Sequence, residues 1–371
     1  MKVLHVMTHF SVSSGVARLV ASLIPFQIEQ GHKVDVAVLA DSPLTYAEEM
    51  KKYGCGYMLL SDVQSSRYNP KFIVRLIPYL KRYDIVHVHM FPPIYWVVIA
   101  KMLSKAQCRL IMTEHSTLNN RQGKWLWKYL DYFIYRRYDA LVAVSDAAKE
   151  SLHKFVDNYL PVEVITNGIS VGCFQNAIPI SRMRLGIPDN VVLLIQVARF
   201  YAEKDQLTLL KALQKLSKDF HVIFVGAGDT LDMHKQKAEE YGISERVHFM
   251  GVRQDVPALM KASDIVVMSS HFEGFGLVAV EGMAAGKPVI ASGVPGLQEV
   301  IQGAGVVFPV HDDTVLANEI LRLSKDKSYA NEIINKCRKR ADEYDIRFMA
   351  EKYNNCLLYT SPSPRDLSTS R

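Results

Sequence analysis

The sequence predicts an α/β protein made of two doubly wound domains in tandem. Three observations carry this. Short apolar runs alternate with helix-period stretches along the chain, the alternation loosens once, between residues 172 and 190, and 371 residues exceed what one ordinary core fills.

In the first half, apolar runs at 3–7, 34–40, 57–60, 85–89, 110–113, 140–144 and 163–166 read as strands. Between the first two, Ala17, Leu19, Val20, Leu23, Ile24 and Ile28 recur near helical spacing, and Gly31 follows where a helix C-cap is favoured. Strands that are apolar throughout and separated by helices imply a parallel sheet covered on both faces. Past Asn167-Gly168, Pro179, Gly186 and Pro188 break any long element, so the domains are placed at 1–172 and 173–345. A second series of strands follows at 191–197, 221–226, 247–250, 264–268, 288–291 and 306–309. Two such domains would leave a cleft facing the carboxyl ends of both sheets, where doubly wound folds bind ligands. Residues 346–355 begin a final helix. The Ser/Pro-rich stretch from Cys356 to Asp366 bears no relation to what precedes it, so 356–371 read as a non-native, adapter-derived tail or a disordered one.

Composition narrows the function classes. With 49% hydrophobic and 22% charged residues the chain is expected to fold in water, and no segment approaches the roughly 20 apolar residues of a membrane span. The N-terminal apolar run ends at Thr8, too soon for a secretory signal. Cys55, Cys108, Cys173, Cys337 and Cys356 are scattered and never form a CxxC pair, which indicates neither a disulfide framework nor a zinc site. A cytoplasmic location is expected. Residues 1–180 carry 20 Lys and Arg against 14 Asp and Glu, while the remainder holds 24 of each. All excess positive charge therefore lies in the first domain, as attraction to anionic lipid or a phosphorylated acceptor would require, and as chance also produces.

The strongest functional signal runs from His271 to Gly286, HFEGFGLVAVEGMAAG. It follows an apolar strand and opens a helix. Such a turn gathers unpaired backbone N–H groups in front of the positive end of a helix dipole, an anion site suited to a diphosphate. Glu273 and Glu281 flank it, and ionised carboxylates are strong acceptors for ribose or hexose hydroxyls. Taken singly, Gly274, Gly276 and Gly286 would equally serve turns and close packing.

The whole segment resembles the signature of glycosyltransferase family four, in which two glutamates are separated by seven residues. The match continues through Gly286-Lys-Pro-Val-Ile-Ala-Ser-Gly-Val-Pro-Gly-Leu-Gln-Glu299, and the resemblance extends over the chain to about Asn355. It implies the GT-B fold, two Rossmann-like domains around a central cleft with the last helix crossing back to the N-terminal, acceptor-side domain. It also implies retaining transfer of a sugar from a nucleotide diphosphate donor, a UDP-sugar foremost, by front-side displacement with no metal or other cofactor. Carried over residue by residue, Glu281 holds the donor ribose and Glu273 faces the transferred sugar. The backbone from Gly274 through Phe275, Gly276 and Leu277 meets the phosphates. Arg199 and Lys204, after the first strand of the second domain, neutralise the leaving diphosphate, a task met elsewhere by a metal. Gly226 of the Gly226-Ala-Gly228 turn lies near the donor, and Val252 and Arg253 contact the base through the backbone. In the first domain Gly15 alone remains of a Gly-Gly loop, in Ser13-Ser14-Gly15, and His115 contacts the reacting sugar by hydrogen bonding rather than proton abstraction.

The run from Lys124 to Tyr138 mixes Trp and Tyr with Lys and Arg, which suits either a membrane interface or an aromatic-rich core helix. Peripheral contact with the inner membrane face is one expectation. The resemblance makes a lipid-linked acceptor in capsule or exopolysaccharide assembly another, and no nucleic-acid partner is expected. A sugar-nucleotide epimerase of similar architecture and a catalytically silent sugar-nucleotide-binding partner are the competing readings. A dehydrogenase is disfavoured, because Thr8-His-Phe-Ser-Val and not GxGxxG follows the first strand.

Overall fold

The structure, a computed structural model, describes residues 1–12, 14–40, 42, 44–61, 68–117 and 125–359. The chain divides into two compact units, one formed by Met1–Gly168 with Ile346–Arg371 and the other by Ile169–Asp345. The division falls at Gly168, ahead of the expected 172.

In the first unit β1 (Lys2–Met7), β2 (Lys33–Val38), β3 (Gly56–Leu59), β4 (Ile85–His89), β5 (Arg109–Glu114), β6 (Ala140–Ala143) and β7 (Val162–Val164) form one parallel sheet. Its order is β3-β2-β1-β4-β5-β6-β7, so the direction of winding reverses between β1 and β4. The connecting helices are α1 (Gly15–Glu29), α2 (Ala47–Lys51), α3 (Lys71–Leu80), α4 (Pro93–Ser104), α5 (Trp125–Tyr135) and α6 (Asp146–Phe155). Helices on both faces explain the continuous apolar strands: Val3, Leu4, Val6 and Met7 are all buried. Each such side chain contributes about 1.5–3 kcal/mol by leaving water.

The second unit opens with α7 (Val171–Gln175). Strands β8 (Val192–Val197), β9 (Phe220–Val225), β10 (Val247–Phe249), β11 (Ile265–Met268), β12 (Val289–Ser292) and β13 (Val306–Phe308) form a six-stranded parallel sheet in the order β10-β9-β8-β11-β12-β13. Here the winding reverses between β8 and β11. Its helices are α8 (Gln206–Lys215), α9 (Leu231–Glu240), α10 (Val256–Ala262), α11 (Leu277–Ala284), α12 (Leu297–Ile301), α13 (Asp313–Lys325) and α14 (Lys327–Asp342).

The last helix, α15 (Ile346–Tyr359), returns to the first unit and packs on α1. Tyr353 reaches into the sheet, where its hydroxyl lies 3.0 Å from Thr113 Oγ1, and Asn354 Oδ1 is 3.0 Å from His32 Nε2. The helix expected over 346–355 is thus longer: Cys356 and Leu357, placed in the tail from sequence, are buried helical residues. Their side chains are enclosed by the first unit, which a composition-based reading of the following Ser/Pro run obscured. Residues 360–371, like Ser13 and the start of the Lys124 segment, lie outside the described residues.

Candidate active site

In a doubly wound sheet the two strands flanking the reversal send their following loops apart, which opens a crevice at their carboxyl ends. In the second unit those strands are β8 and β11. Their loops carry Arg199 and Lys204 on one side and Glu273 on the other.

A buried polar lattice holds the two loops together. Gln196, near the end of β8, donates from Nε2 to the Lys204 carbonyl (3.0 Å) and to Ser269 Oγ (3.1 Å). Ser269 Oγ donates in turn to the Asp205 carbonyl at 2.7 Å, and the His271 amide to the Glu203 carbonyl at 2.8 Å. The result is a fixed meeting of charges: Lys204 Nζ lies 2.6 Å from Glu273 Oε1, which also accepts from Ser270 Oγ at 2.9 Å. Both side chains are mostly buried, at 16% and 13% exposure. Gln196 was not among the residues singled out from sequence, although one amide inside Leu193-Leu-Ile-Gln-Val197 is the kind of interruption that marks such a tether.

From Glu273 the chain turns through Gly274, Phe275 and Gly276 into α11, which starts at Leu277. Gly276 caps the helix at φ 92°, and a Cβ there would stand 2.5 Å from Leu297 Cδ1, so glycine alone fits. Phe275 anchors the turn by burying its ring edge-on against Tyr344, 5.2 Å between centroids. Glu281 lies within α11 and is buried.

The remaining residues of the second unit sit around this centre. Gly226 backs the Arg199 loop at φ 144°, where a Cβ would come within 2.0 Å of the Ala198 carbonyl oxygen. Its amide donates to the Gly251 carbonyl at 2.8 Å, which joins the loops after β9 and β10. Arg199 itself is turned toward its own loop: it stacks over Tyr201 at 4.8 Å and lies 4.0 Å from Glu203. Arg253, next to the exposed Val252, is held by Asp255 through two hydrogen bonds of 2.8 and 2.6 Å.

Gly15 and His115 belong to the first unit. Gly15 is the first residue of α1, and Ser14 caps that helix by accepting from the Ala17 amide at 3.3 Å. His115 follows β5 and is the outer member of a chain of histidines that the sequence reading missed. Its Nε2 lies 3.1 Å from His89 Nδ1, His89 Nε2 lies 3.0 Å from His5 Nδ1, and His5 Nε2 lies 2.9 Å from Gln27 Oε1. His87 stands alongside, its ring 4.1 Å from that of His89, with Nε2 2.8 Å from Thr113 Oγ1. Burial lowers the pKa of His5 to about 4 and that of His115 to about 3, and holds His87 and His89 well below the ordinary value. All four are neutral at pH 7. With Gln27 Oε1 as acceptor, His5, His89 and His115 each donate from Nε2, and His115 is left with an unprotonated Nδ1.

Two doubly wound parallel sheets with helices on both faces define an α/β protein of the GT-B class, whose second unit sets a Lys–Glu pair beside a glycine-capped helix start at its winding reversal. The model of the glycosyl transferases group 1 family matches residues 178–340 and that of Glycosyltransferase Family 4 matches residues 13–172. The chain belongs to glycosyltransferase family four and is a glycosyltransferase. It is 28% identical over 293 residues to the O-antigen biosynthesis glycosyltransferase WclY of Escherichia coli, covering 75% of this chain and 79% of that one. It is 26% identical over 336 residues to the UDP-Gal:alpha-D-GlcNAc-diphosphoundecaprenol alpha-1,3-galactosyltransferase of Escherichia coli, covering 85% and 86%. Anabaena HepE in complex with UDP-glucose has the same fold, with a TM-score of 0.84 at 21% identity over 96% of this chain and 99% of that one.

Proposed function

We propose that this chain transfers a hexose from a UDP-sugar, with retention and without a catalytic metal, to a lipid-linked acceptor of surface-polysaccharide assembly. The observation that carries the reading is the Lys204–Glu273 pair, held 2.6 Å apart in front of the α11 turn. An ammonium and a carboxylate kept together while largely desolvated compensate each other before a donor arrives. When it does, a diphosphate oxygen takes over Lys204 and a sugar hydroxyl takes over Glu273. The amides at Phe275, Gly276 and Leu277 complete the phosphate contact, with Arg199 swinging from Tyr201 to add charge. Glu281 accepts from the ribose, and the backbone at Gly226, Val252 and Arg253 meets the base. In the first unit His115 offers its unprotonated Nδ1 as an acceptor for a sugar hydroxyl. UDP is favoured because HepE is seen with UDP-glucose and the galactosyltransferase is named for UDP-Gal. The lipid-linked acceptor is favoured by the diphosphoundecaprenol in the latter name.

Thermal denaturation with UDP-, GDP- and ADP-sugars tests this. A UDP-sugar at about 100 times its Kd should add about 2.7 kcal/mol to unfolding. Stabilisation by another nucleotide class would overturn the UDP assignment, and none by any nucleotide sugar would overturn the transfer reading. Isomerised donor appearing without acceptor would identify an epimerase instead.

The lipid-linked acceptor requires access to a bilayer, and α5 supplies a suitable face. Trp125 and Tyr129 are about 70% exposed, with Tyr132 and Phe133 beside them, while Asp131 points inward to the Tyr95 hydroxyl. Arg136 stacks over Tyr132 and Arg137 over Phe133, both at 4.4 Å, so cations frame the aromatic surface. Among the described residues no helix is long and apolar enough to cross a membrane. Vesicles containing phosphatidylglycerol should sediment the protein at low salt and release it at high salt. A Trp125→Ser, Tyr129→Ser double variant should bind them at least ~10-fold more weakly. Equal binding by both proteins would remove α5 as the contact.

A further inference from the structure

Three loops that leave the carboxyl ends of β8, β11 and β13 bring Asp205, His271 and His311 to one point. Asp205 Oδ2 lies 2.7 Å from His271 Nε2 and 3.3 Å from His311 Nδ1, and the two imidazoles stand 4.0 Å apart at 61°. One donor atom from each residue falls within 4.8 Å of the others.

The approach of Asp205 to His271 is not a hydrogen bond. Nε2 of His271 is buried and has no hydrogen-bond partner although a carboxylate oxygen stands 2.7 Å away, because the two are not aligned as an N–H···O bond demands. A ring nitrogen and a carboxylate that converge on a common point, rather than on each other, are arranged as ligands.

The backbone is also bent to this arrangement. Asp205 has φ 42° and His311 φ 64°, left-handed positions that cost a non-glycine residue about 1–3 kcal/mol. Glycine would relieve that strain at both, yet a carboxylate and an imidazole stand there. Asp205 is further oriented by Thr208, whose hydroxyl donates to Oδ2 at 2.6 Å and whose amide donates to Oδ1 at 3.3 Å. These contacts make Asp205 the N-cap of α8, and they also fix the direction of its carboxylate.

We propose that Asp205, His271 and His311 bind a divalent transition-metal ion of the Zn²⁺ class. Two imidazoles and one carboxylate, with a fourth position open, are a donor set that zinc accepts, whereas Mg²⁺ and Ca²⁺ seek oxygen ligands. His311, 64% exposed, lies on the path by which the ion enters. The bound ion ties the loop after β8 to those after β11 and β13. Asp205 directly follows Lys204 and His271 precedes Glu273 by two residues, so occupancy fixes the loops that bear that pair. The ion takes no part in sugar transfer, and the site rests on its own geometry.

The test is calorimetric titration of the metal-stripped full chain with Zn²⁺, with Co²⁺ absorption as a second readout. Wild type should bind one equivalent, with Co²⁺ bands of a low-coordinate site. His311→Asn should lower that affinity at least ~10-fold and change the bands. Asparagine tolerates the left-handed backbone, so this variant should melt like wild type in chelator. Asp205→Asn should act alike, and if loss of its helix-capping role unfolds it, His311→Asn still decides. Superimposable Zn²⁺ isotherms for wild type and His311→Asn would reduce the trio to a close Asp205–His271 contact and overturn the proposal.

Discussion

Acidification from pH 7 to pH 5 is expected to destabilise the first unit. His5, His87, His89 and His115 are neutral in the fold because burial depresses their pKa values, to about 4 for His5 and about 3 for His115. In the unfolded chain they titrate near 6.5. The unfolded state therefore binds more protons below pH 6.5, and stability that is fully present above that pH is lost as it falls toward the folded-state values. By pH 5 His5 and His115 each withdraw about 2 kcal/mol, and His87 and His89 act in the same direction. Asp131 works in the opposite sense, since burial raises its carboxyl to about 7 and the folded state takes up its proton first. Over the same interval it returns about 2 kcal/mol, which offsets one histidine's share and leaves a net loss. The chain's three tryptophans, Trp96, Trp125 and Trp127, all lie in the first unit, so urea unfolding followed by their fluorescence reports on that unit. The urea midpoint should fall steeply between pH 6.5 and 5. A flat midpoint over that range would mean that the histidines are not enclosed as described.

That cluster also shows where sequence reading reaches its limit. Strands such as Val3 to Met7 and Leu193 to Val197 are legible because a sheet covered on both faces must be apolar along its length, and one polar residue within such a run looks like noise. His5 and Gln196 were passed over for that reason. His87 and His89, two apart on β4 and so on one face, carried a faint signal, but their partner His5 is supplied by the parallel register that pairs it with His87. The glutamates of the α11 turn were legible because a strand, a glycine turn and a helix start recur as a local unit. The contact of Lys204 with Glu273 spans 69 residues and depends on β8 lying beside β11, which follows from the sheet order and not from any local pattern. Asp205 and His311 were invisible for a related reason: nothing local announces a left-handed aspartate or histidine.

Lys204→Ala is expected to lower turnover by about 10²–10³-fold, the loss typical when one preorganised donor to a developing anion is removed. Its effect on the fold must be separated from its effect on chemistry, because Lys204 also neutralises Glu273. Without it, a carboxylate at 13% exposure keeps Ser270 but loses its counter-ion, so the melting temperature should fall as well. Glu273→Gln is the milder change. The amide keeps the size of the side chain and an acceptor for Ser270 and Lys204 but removes the charge facing the Lys204 ammonium, so stability should fall less than in Lys204→Ala while turnover drops severely. Binding of UDP alone should then distinguish the roles: Lys204→Ala weakens it, since a phosphate contact is lost, and Glu273→Gln leaves it nearly unchanged, since UDP carries no transferred sugar. The double variant should be little worse in turnover than the poorer single one, because residues that act as a unit are not additive. Arg199→Ala serves as the comparison. Arg199 is half exposed and stacked on Tyr201, so it must move to reach a phosphate, and its loss should cost less than that of Lys204. Near-normal turnover in both Lys204→Ala and Glu273→Gln would show that the pair is a structural tether between two loops and that the chemistry lies elsewhere.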